Sequence, residues 1–319
     1  MRIIFMGSPI EVLAPLEIIV EGGRRVGAEL VGIVSQPPRA SGRGGRLQDP
    51  PVATYGKEKK VLTLQPENAK SPDFLDELRK LKPDVIVTAA YGQILSDDFL
   101  KIPTIGTINI HPSLLPKYRG ATPVPAALLD GCTVTGVTIL FTVKQLDAGH
   151  IILQKEFPIL EGETAGALTQ RLFVASSSML LDVLGRLSND PATKGQAQDS
   201  SQATFCKKIS KDMGQIDWTQ NATTIFNRYR AFHPWPGSFT NFIDRSISIT
   251  DMSLTNSQET HSEVGKMQFE KTSKAIVVSC GSGSVRIHKL KPAGGKDLDA
   301  AAFWNGIRNR DFLILGNPK

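Results

Sequence analysis

Residues 84–111 read DVIVTAAYGQILSDDFLKIPTIGTINIH, and this stretch carries the clearest fold signal in the chain. It holds two apolar runs rich in β-branched residues, Asp84–Ala90 and Thr107–His111, with a more polar segment between them. Such runs are typical of parallel strands that are covered on both faces. Two similar runs, Arg2–Met6 and Glu29–Ser35, lie nearer the N-terminus.

Helical patterns separate these strands. One lies over Val12–Val20, and a second, Asp73–Leu81, follows the start signal Ser71-Pro72 and stops before Pro83. Alternating strands and helices predict an α/β fold with a doubly wound, mostly parallel, Rossmann-like sheet. In such folds the ligand site lies outside the carboxyl ends of the strands.

The length of 319 residues predicts two domains, at about 150 residues each. The first, residues 1–188, continues past the parallel strands with two further strands and a long amphipathic helix near 164–187. Residues 189–205 are polar and are predicted to be the linker. Residues 206–319 carry short strand-like runs that predict a small β-barrel. These runs are Ser238–Ile243, Ile247–Ile249, Ala275–Ser279 and Ser284–Leu290.

Charge is divided unevenly between the two predicted domains. Residues 1–205 hold 21 basic and 21 acidic side chains, whereas residues 206–319 hold 16 basic and 10 acidic ones. The whole net charge of +6 therefore belongs to the last third of the chain. This asymmetry suits a domain that binds a polyanion. A solvated basic surface without a partner is the alternative.

Cysteine usage and hydropathy exclude several classes of protein. The three cysteines, Cys132, Cys206 and Cys280, show no CxxC spacing, which argues against a disulfide framework and a zinc site. The histidines show no metal-ligand spacing either, so we expect no metal. No apolar run approaches the ~20 residues of a membrane span. The first apolar run ends at Ser8-Pro9, so we expect no export and a cytoplasmic protein.

The densest group of polar side chains follows the fourth strand. Asn109 and His111 are two residues apart, so on a strand their side chains share a face. An amide that stabilises an oxyanion beside an imidazole that moves a proton is a useful catalytic pair. The alternative is a strand-end histidine whose ring is satisfied by the backbone.

Asp147 stands in a turn-like Asp-Ala-Gly and is the only acidic residue between Asp130 and Glu156. Near His111, its carboxylate would favour the imidazolium form and hold the ring in one tautomer. The alternative is an aspartate that stabilises its own turn.

Residues 35–47, after the second strand, are rich in glycine and arginine. Arg39, Arg43 and Arg46 lie in a stretch with no apolar anchor before Leu47, which predicts a loop without regular structure. Basic side chains on such a loop suit phosphate contacts. A solvated flexible loop is the alternative.

Taken together, the chain resembles the methionyl-tRNA formyltransferase family over nearly its whole length. The first-domain motifs are shared more widely by enzymes that use 10-formyltetrahydrofolate, and the arginine loop and second-domain motifs narrow the resemblance to the tRNA enzymes. The matching stretches are residues 2–9, Gln36-Pro37 with Gly42-Arg43-Gly44, residues 90–95, Asn109–Pro116 with Arg119-Gly120, Gly136-Val137-Thr138, Asp147-Ala148-Gly149, Lys208–Lys211, Ile216-Asp217-Trp218, Arg230–Pro236 and Lys291–Gly294.

The resemblance implies an enzyme that transfers the formyl group of 10-formyltetrahydrofolate, its co-substrate, to the amino group of methionyl-initiator-tRNA. It implies a monomer with a C-terminal oligonucleotide-binding-type barrel. The implied site residues are Asn109, His111 and Asp147 for catalysis, Ser113, Leu114, Leu115 and Pro116 for folate, and Arg39, Arg43 and Arg46 for tRNA.

Two other functions remain open. A formyltransferase acting on another amine would keep the three catalytic residues but should lack the arginine loop and the basic second domain. A non-catalytic RNA-binding protein on the same fold would explain the charge asymmetry. It would also predict loss of Asn109, His111 or Asp147, and all three are present.

Overall fold

The computed structural model describes residues 1–41, 45–243, 245–255, 263–308 and 313–316. The chain divides into two compact units, which are described separately. The first comprises Met1–Pro123, Val134–Pro158 and Leu168–Lys207, and the second comprises Val124–Thr133, Ile159–Ala167 and Lys208–Lys319. Residues 189–205, expected to be a linker, thus belong to the first unit.

The strands are β1 Arg2–Gly7, β2 Glu29–Val34, β3 Arg39–Ser41, β4 Arg46–Gln48, β5 Thr63–Leu64, β6 Val85–Ala89, β7 Gly106–His111, β8 Arg119–Gly120, β9 Val134–Phe141, β10 Ile151–Pro158, β11 Phe205–Cys206, β12 Ser238–Phe242, β13 Arg245–Leu254, β14 Met267–Glu270, β15 Ala275–Ser279, β16 Ser284–Pro292 and β17 Leu298–Asp299. The α-helices are α1 Leu13–Gly22, α2 Pro51–Glu58, α3 Pro72–Leu81, α4 Asp97–Leu100, α5 Pro123–Leu129, α6 Ala165–Asn189, α7 Ala222–Phe232 and α8 Ala300–Gly306. Among the described residues, no helix is long and apolar enough to cross a membrane.

The first unit is built on a seven-stranded sheet in the order β10-β9-β7-β6-β1-β2-β5. The pairs from β7 to β5 are parallel, and β9 and β10 are added antiparallel. The prediction of a doubly wound, mostly parallel sheet is therefore confirmed. Its carboxyl edge gathers the ends of β1, β6 and β7, where α/β sheets bind ligands.

Apolar burial explains why these segments form the sheet. Ile3, Ile4, Phe5 and Met6 on β1 are completely buried, and burying one such side chain contributes roughly 1.5–3 kcal/mol. Helix α3 presents Phe74, Leu75 and Leu78 to the core, at helical spacing. It begins at Pro72 and ends before Pro83, as its sequence signals predict, and its C-cap, Lys82, is in the left-handed conformation.

The second unit contains an antiparallel sheet in the order β12-β13-β16-β15-β14, with β17 beside β16. The segment 313–316 closes this sheet into a barrel. It hydrogen-bonds to Gly265 and Met267 beside β14, and to Asn241 on β12. The interior is apolar, and the indole of Trp218 donates to the buried hydroxyl of Thr240 at 2.9 Å. The predicted barrel is confirmed.

Two details differ from the sequence predictions. Several short elements were not predicted because they lack a long periodic pattern, among them helices α2, α4, α5 and α8 and strands β5 and β14. The loop at 39–46 is not irregular at its ends, since β3 pairs with β4 in an antiparallel ribbon. The prediction of a loop without regular structure is therefore wrong for those ends. Residues 42–44, which include Arg43, lie outside the described residues.

Candidate active site

Strand β7 carries the first two predicted catalytic residues to the carboxyl edge of the sheet. Asn109 is half-buried, and His111 is only 3% exposed. Both side chains reach the carboxylate of Asp147, so they share one face of the sheet, as their spacing predicted.

The amide of Asn109 is oriented by the neighbouring strand. The hydroxyl of Thr88, on β6, lies 3.0 Å from Oδ1 of Asn109. Thr88 stands opposite Asn109 in the β6–β7 register, which accounts for the contact. The amide nitrogen consequently points the other way, and lies 3.5 Å from Oδ1 of Asp147.

The imidazole of His111 is held in one tautomer. Its Nε2 lies 2.9 Å from the carbonyl oxygen of Tyr118. A carbonyl can only accept a hydrogen bond, so Nε2 carries a proton. The other ring nitrogen, Nδ1, lies 3.7 Å from Oδ2 of Asp147. This separation allows ionic attraction but is too long for a hydrogen bond, so Nδ1 is free to exchange a proton with a ligand.

Asp147 is anchored by its carboxylate and by its backbone. Oδ2 accepts a hydrogen bond of 2.8 Å from the backbone N–H of Gly120. Its own backbone is left-handed, with φ of +47°. Gly149, two residues on, packs so closely that a Cβ atom there would lie 1.7 Å from the carbonyl oxygen of Phe141. The carboxylate of Asp147 contacts residues at least 27 positions away in the sequence, so it does more than stabilise its own turn.

The segment Ser113–Pro116 follows His111 and is fixed by hydrogen bonds to its neighbours. The hydroxyl of Ser113, itself completely buried, donates to the carbonyl of Lys117 at 2.8 Å. The side chain of Gln154 donates to the carbonyl of Leu115 at 2.9 Å. Leu115 is 3% exposed, whereas Leu114 and Pro116 are half-buried. This segment therefore shapes the wall beside His111.

Several residues at the site were missed by sequence reasoning. Thr88 and Gly120 are hydrogen-bonded to the catalytic candidates, and Arg119 and Gln198 form a second layer around Asp147. Arg119 and Gly120 stand next to the motif that signals the site, so adjacency could have found them. Gln198 lies 51 residues from Asp147 in a polar segment that carries no such signal.

The arginine ribbon of β3 and β4 lies in the same unit. Its register puts Arg39 and Arg46 on one face, and both are exposed. Arg39 also lines an open cleft of about 460 Å³, together with Gln36, Lys70 and Ile94. The remaining member of the predicted tRNA-binding set, Arg43, is outside the described residues.

The described residues hold no group of three or more His, Cys, Asp or Glu side chains that could bind a metal ion. The geometry thus offers two nitrogen donors, on Asn109 and His111, that converge beside one carboxylate. Such a set can stabilise negative charge that develops on an oxygen atom and can transfer a proton. The catalytic role of the three residues stays a prediction.

Comparison with known proteins gives two family matches. Residues 1–184 match the model described as formyl transferase, and residues 208–308 match the model described as formyl transferase, C-terminal domain.

Individual proteins extend these matches to full length. A methionyl-tRNA formyltransferase from Nitrosomonas eutropha is 37% identical over 306 residues, covering 96% of this chain and 95% of that protein. One from Roseiflexus castenholzii is 38% identical over 308 residues, covering 97% and 96%. The N-formyltransferase from Helicobacter canadensis, crystallised with folinic acid and dTDP-3-aminofucose, aligns with a TM-score of 0.65 at 18% identity, over 89% of this chain and 98% of that chain. At that identity, the last match demonstrates similarity of fold.

Proposed function

The chain belongs to the formyltransferase family, and within it to the methionyl-tRNA formyltransferases, and from this premise we propose that it makes N-formylmethionyl-tRNA for translation initiation. The formyl group comes from 10-formyltetrahydrofolate and the acceptor is the free amino group of methionyl-initiator-tRNA. The observation that carries the chemistry is the convergence of Asn109, His111 and Asp147 at the carboxyl edge of the sheet.

The donor supplies an activated formyl carbon, and attack by the methionyl amine on that carbon leaves negative charge on the formyl oxygen. The side chains fit this need because the amide nitrogen of Asn109 and Nδ1 of His111 both lie beside the carboxylate of Asp147. Asn109 offers the amide hydrogen not directed at Asp147, and His111 offers Nδ1–H in its imidazolium form. Hydrogen bonds from these groups stabilise the charge that develops.

His111 also moves a proton. Because the carbonyl of Tyr118 occupies Nε2–H, the proton is exchanged at Nδ1. In the imidazolium form, Nδ1 donates its proton to N10 of the folate as the bond between the formyl carbon and N10 breaks, and the neutral ring then accepts the proton that the methionyl nitrogen loses. Asp147, 3.7 Å away, stabilises the positive charge of the imidazolium.

Folate binding is assigned to the wall beside His111. Ser113, Leu114, Leu115 and Pro116 contribute its shape, with the half-buried side chains of Leu114 and Pro116 available for apolar contact. The polar atoms of Ser113 are already hydrogen-bonded to neighbouring residues of the protein, so its contribution is structural.

The tRNA is recognised by two basic regions. Residues 206–319, the predicted second domain, have an excess of positive charge, with 16 basic and 10 acidic residues, and electrostatic attraction to phosphates dominates the affinity of such surfaces. Arg39 and Arg46 of the ribbon, together with Arg43, contact the acceptor end. The protein acts as a monomer of 34.6 kDa in the cytoplasm, where charged initiator tRNA is used.

The test is formylation by the purified full chain. Methionyl-initiator-tRNA and 10-formyltetrahydrofolate are supplied, and N-formylmethionine is measured after deacylation. The same tRNA without methionine, methionyl-elongator-tRNA and a dTDP-amino sugar serve as comparisons. We expect formylmethionine from the initiator tRNA at the highest kcat/KM. Binding of tRNA without product would support a binding protein, and faster formylation of the amino sugar would support another acceptor. Light scattering measures the molar mass in solution and so tests whether the protein is a monomer.

A further inference from the structure

Gln198 makes contact with the Asp147 turn through its side-chain amide. Its Nε2 donates to the backbone carbonyl of Asp147 at 2.8 Å and to that of Gly149 at 2.7 Å. Its Oε1 accepts from Nε of Arg119 at 3.2 Å and from Nη2 of Arg119 at 2.7 Å. Both amide hydrogens and the amide oxygen are therefore engaged.

Arg119 links this amide to the rest of the site. The side chain of Arg119 is buried, at 5% exposure. Its two chain neighbours contact the catalytic candidates directly, because the carbonyl of Tyr118 accepts from His111 and the N–H of Gly120 donates to Asp147. The segment 118–120 thus holds the His111 ring, the Asp147 carboxylate and, through Gln198, the Asp147 backbone.

The Asp147 turn needs such support. Asp147 has φ of +47°, a left-handed conformation that costs free energy for residues other than glycine, so its contacts help to hold it. The carboxylate lies 3.7 Å from His111, so a small displacement of the turn would change its electrostatic support of the imidazolium. A guanidinium bonded to an amide oxygen also polarises that amide and strengthens its N–H donors.

Gln198 is less exposed than its neighbours in the sequence. Residues 194–202 are exposed apart from Gln198, which is half-buried. The backbone of this segment is fixed by the antiparallel pairing of Gln196 with Ile151 on β10, and Gln198 is the side chain that it turns inward, to the Asp147 turn.

From these contacts we propose that Gln198, held by Arg119, is a positioning residue that keeps the Asp147 turn against His111 during formyl transfer. The inference rests on the proposed function, since formyl transfer is the activity that is measured. Gln198 acts through Asp147 and has no assigned contact with either substrate.

The experiment uses Gln198→Glu, Gln198→Leu and the control Gln202→Leu in the full chain. Glutamate keeps an oxygen for Arg119 but removes both N–H donors to the turn, so it separates anchoring of Arg119 from holding of Asp147. Gln202 lies four residues away, is exposed and bonds to Asp199, and it therefore reports on the same substitution outside the network.

We expect kcat to fall about 10- to 100-fold in both Gln198 variants, since displacing a catalytic group by about 1 Å can cost 10²-fold. The KM values for tRNA and folate should change less than threefold. Gln202→Leu should match the wild type. The thermal unfolding midpoint of Gln198→Glu should stay near that of the wild type. The lower kcat would then not be caused by unfolding of the protein.

A double-variant cycle with Asp147→Asn supplies a second readout. If Gln198 acts through Asp147, Asp147→Asn combined with Gln198→Glu should be no slower than Asp147→Asn alone. Multiplying losses, or wild-type kcat in Gln198→Glu, would overturn the inference. A wild-type chain that transfers no formyl group would instead overturn the proposed function, so the two failures are distinguishable.

Discussion

The carboxyl edge of the sheet and the barrel of the second unit differ in how their polar side chains are held. At the sheet edge, His111 is nearly inaccessible and its ring, the Asn109 amide and the Asp147 carboxylate are each fixed by a specific hydrogen bond. In the barrel, apolar residues fill the interior, and Lys289 and Lys291 stand exposed on β16. Catalysis requires atoms held in fixed positions, whereas attraction of a phosphate backbone requires only a sufficient density of charge.

Because of this difference, the chemical step and the affinity for tRNA should respond to different substitutions. Changes at the sheet edge should slow the chemical step and leave tRNA affinity unchanged. Changes of surface charge should alter affinity and leave the chemical step unchanged.

The largest effect is expected from removing the two groups that we propose to act on the formyl oxygen. Asn109→Ala should lower kcat by about 10²–10³-fold, the usual loss for one oxyanion donor. His111→Ala should lower it by about 10²–10⁴-fold, because proton transfer is lost as well. Both are measured by formylation under saturating substrates.

Binding supplies the control for these two variants. Their tRNA and folate dissociation constants should stay near those of the wild type, and the double variant should lose less than the product of the single losses. Near-normal turnover of His111→Ala would remove this residue from the mechanism.

A second effect probes recognition within the first unit itself. Arg43→Ala should reduce kcat/KM for methionyl-initiator-tRNA by about 5- to 150-fold, equivalent to about 1–3 kcal/mol for one bidentate contact. Arg43→Lys should restore only part of it, since an ammonium group lacks the planar fork. Arg24→Ala is the matched control, because Arg24 is 86% exposed and pairs only loosely with Glu29, at 3.7 Å. Equal kcat/KM values in all variants would leave recognition to the second unit alone.

The sheet and the catalytic candidates were predictable from sequence because they depend on local signals. Continuous apolar runs specify the buried strands, and the spacing of Asn109 and His111 on β7 assigns them to one face. The Asp-Ala-Gly turn marked Asp147 as a candidate, although a separation of 36 residues from His111 says nothing about distance.

The second layer of the site was not predictable in this way. Thr88 contacts Asn109 because of strand register, and register depends on the whole β6–β7 pairing. Gln198 belongs to a segment whose polarity indicated a linker, and only the tertiary fold reveals that its amide turns inward. The β3–β4 ribbon was missed because three-residue strands carry too short a pattern to be distinguished from a loop.

A smaller effect tests whether orientation at the sheet edge contributes to rate. Thr88→Val removes the hydroxyl next to Oδ1 of Asn109 while keeping the size of the side chain. We expect kcat to fall by up to about tenfold, since one neutral hydrogen bond contributes about 0.5–1.5 kcal/mol. Thr107→Val is the matched control, because among the described residues the buried Thr107 hydroxyl has no hydrogen-bond partner. An equal kcat in the two variants would count against orientation by Thr88.

The smallest effect concerns the stability of the second unit and should not reach catalysis. The guanidinium of Arg286 donates to both carboxylate oxygens of Glu270, at 2.7 and 3.2 Å, and holds the pKa of Glu270 at about 2 instead of its ordinary 4.5. Since the folded state favours the charged form, this pair stabilises the fold fully above pH 4.5 and loses that effect as the pH falls toward 2.

Glu270→Gln should therefore lower the unfolding midpoint of the protein at pH 7, by an amount that shrinks as the pH is lowered from 4.5. Thermal unfolding followed by circular dichroism measures this difference. A difference that grows on acidification would contradict the assignment, and kcat at pH 7 should be unchanged.

The separation of chemistry from attraction is tested most directly by single-turnover formylation of methionyl-initiator-tRNA at increasing salt, with enzyme in excess. The enzyme concentration that gives half the maximal rate should rise steeply, by about 10³-fold or more between 50 and 200 mM salt if six or more phosphates are contacted. The rate constant at saturation should stay constant, because the buried pair of His111 and Asp147 is little screened. A saturated rate constant that falls in parallel with affinity would contradict the account, as would a half-saturation point that salt does not move.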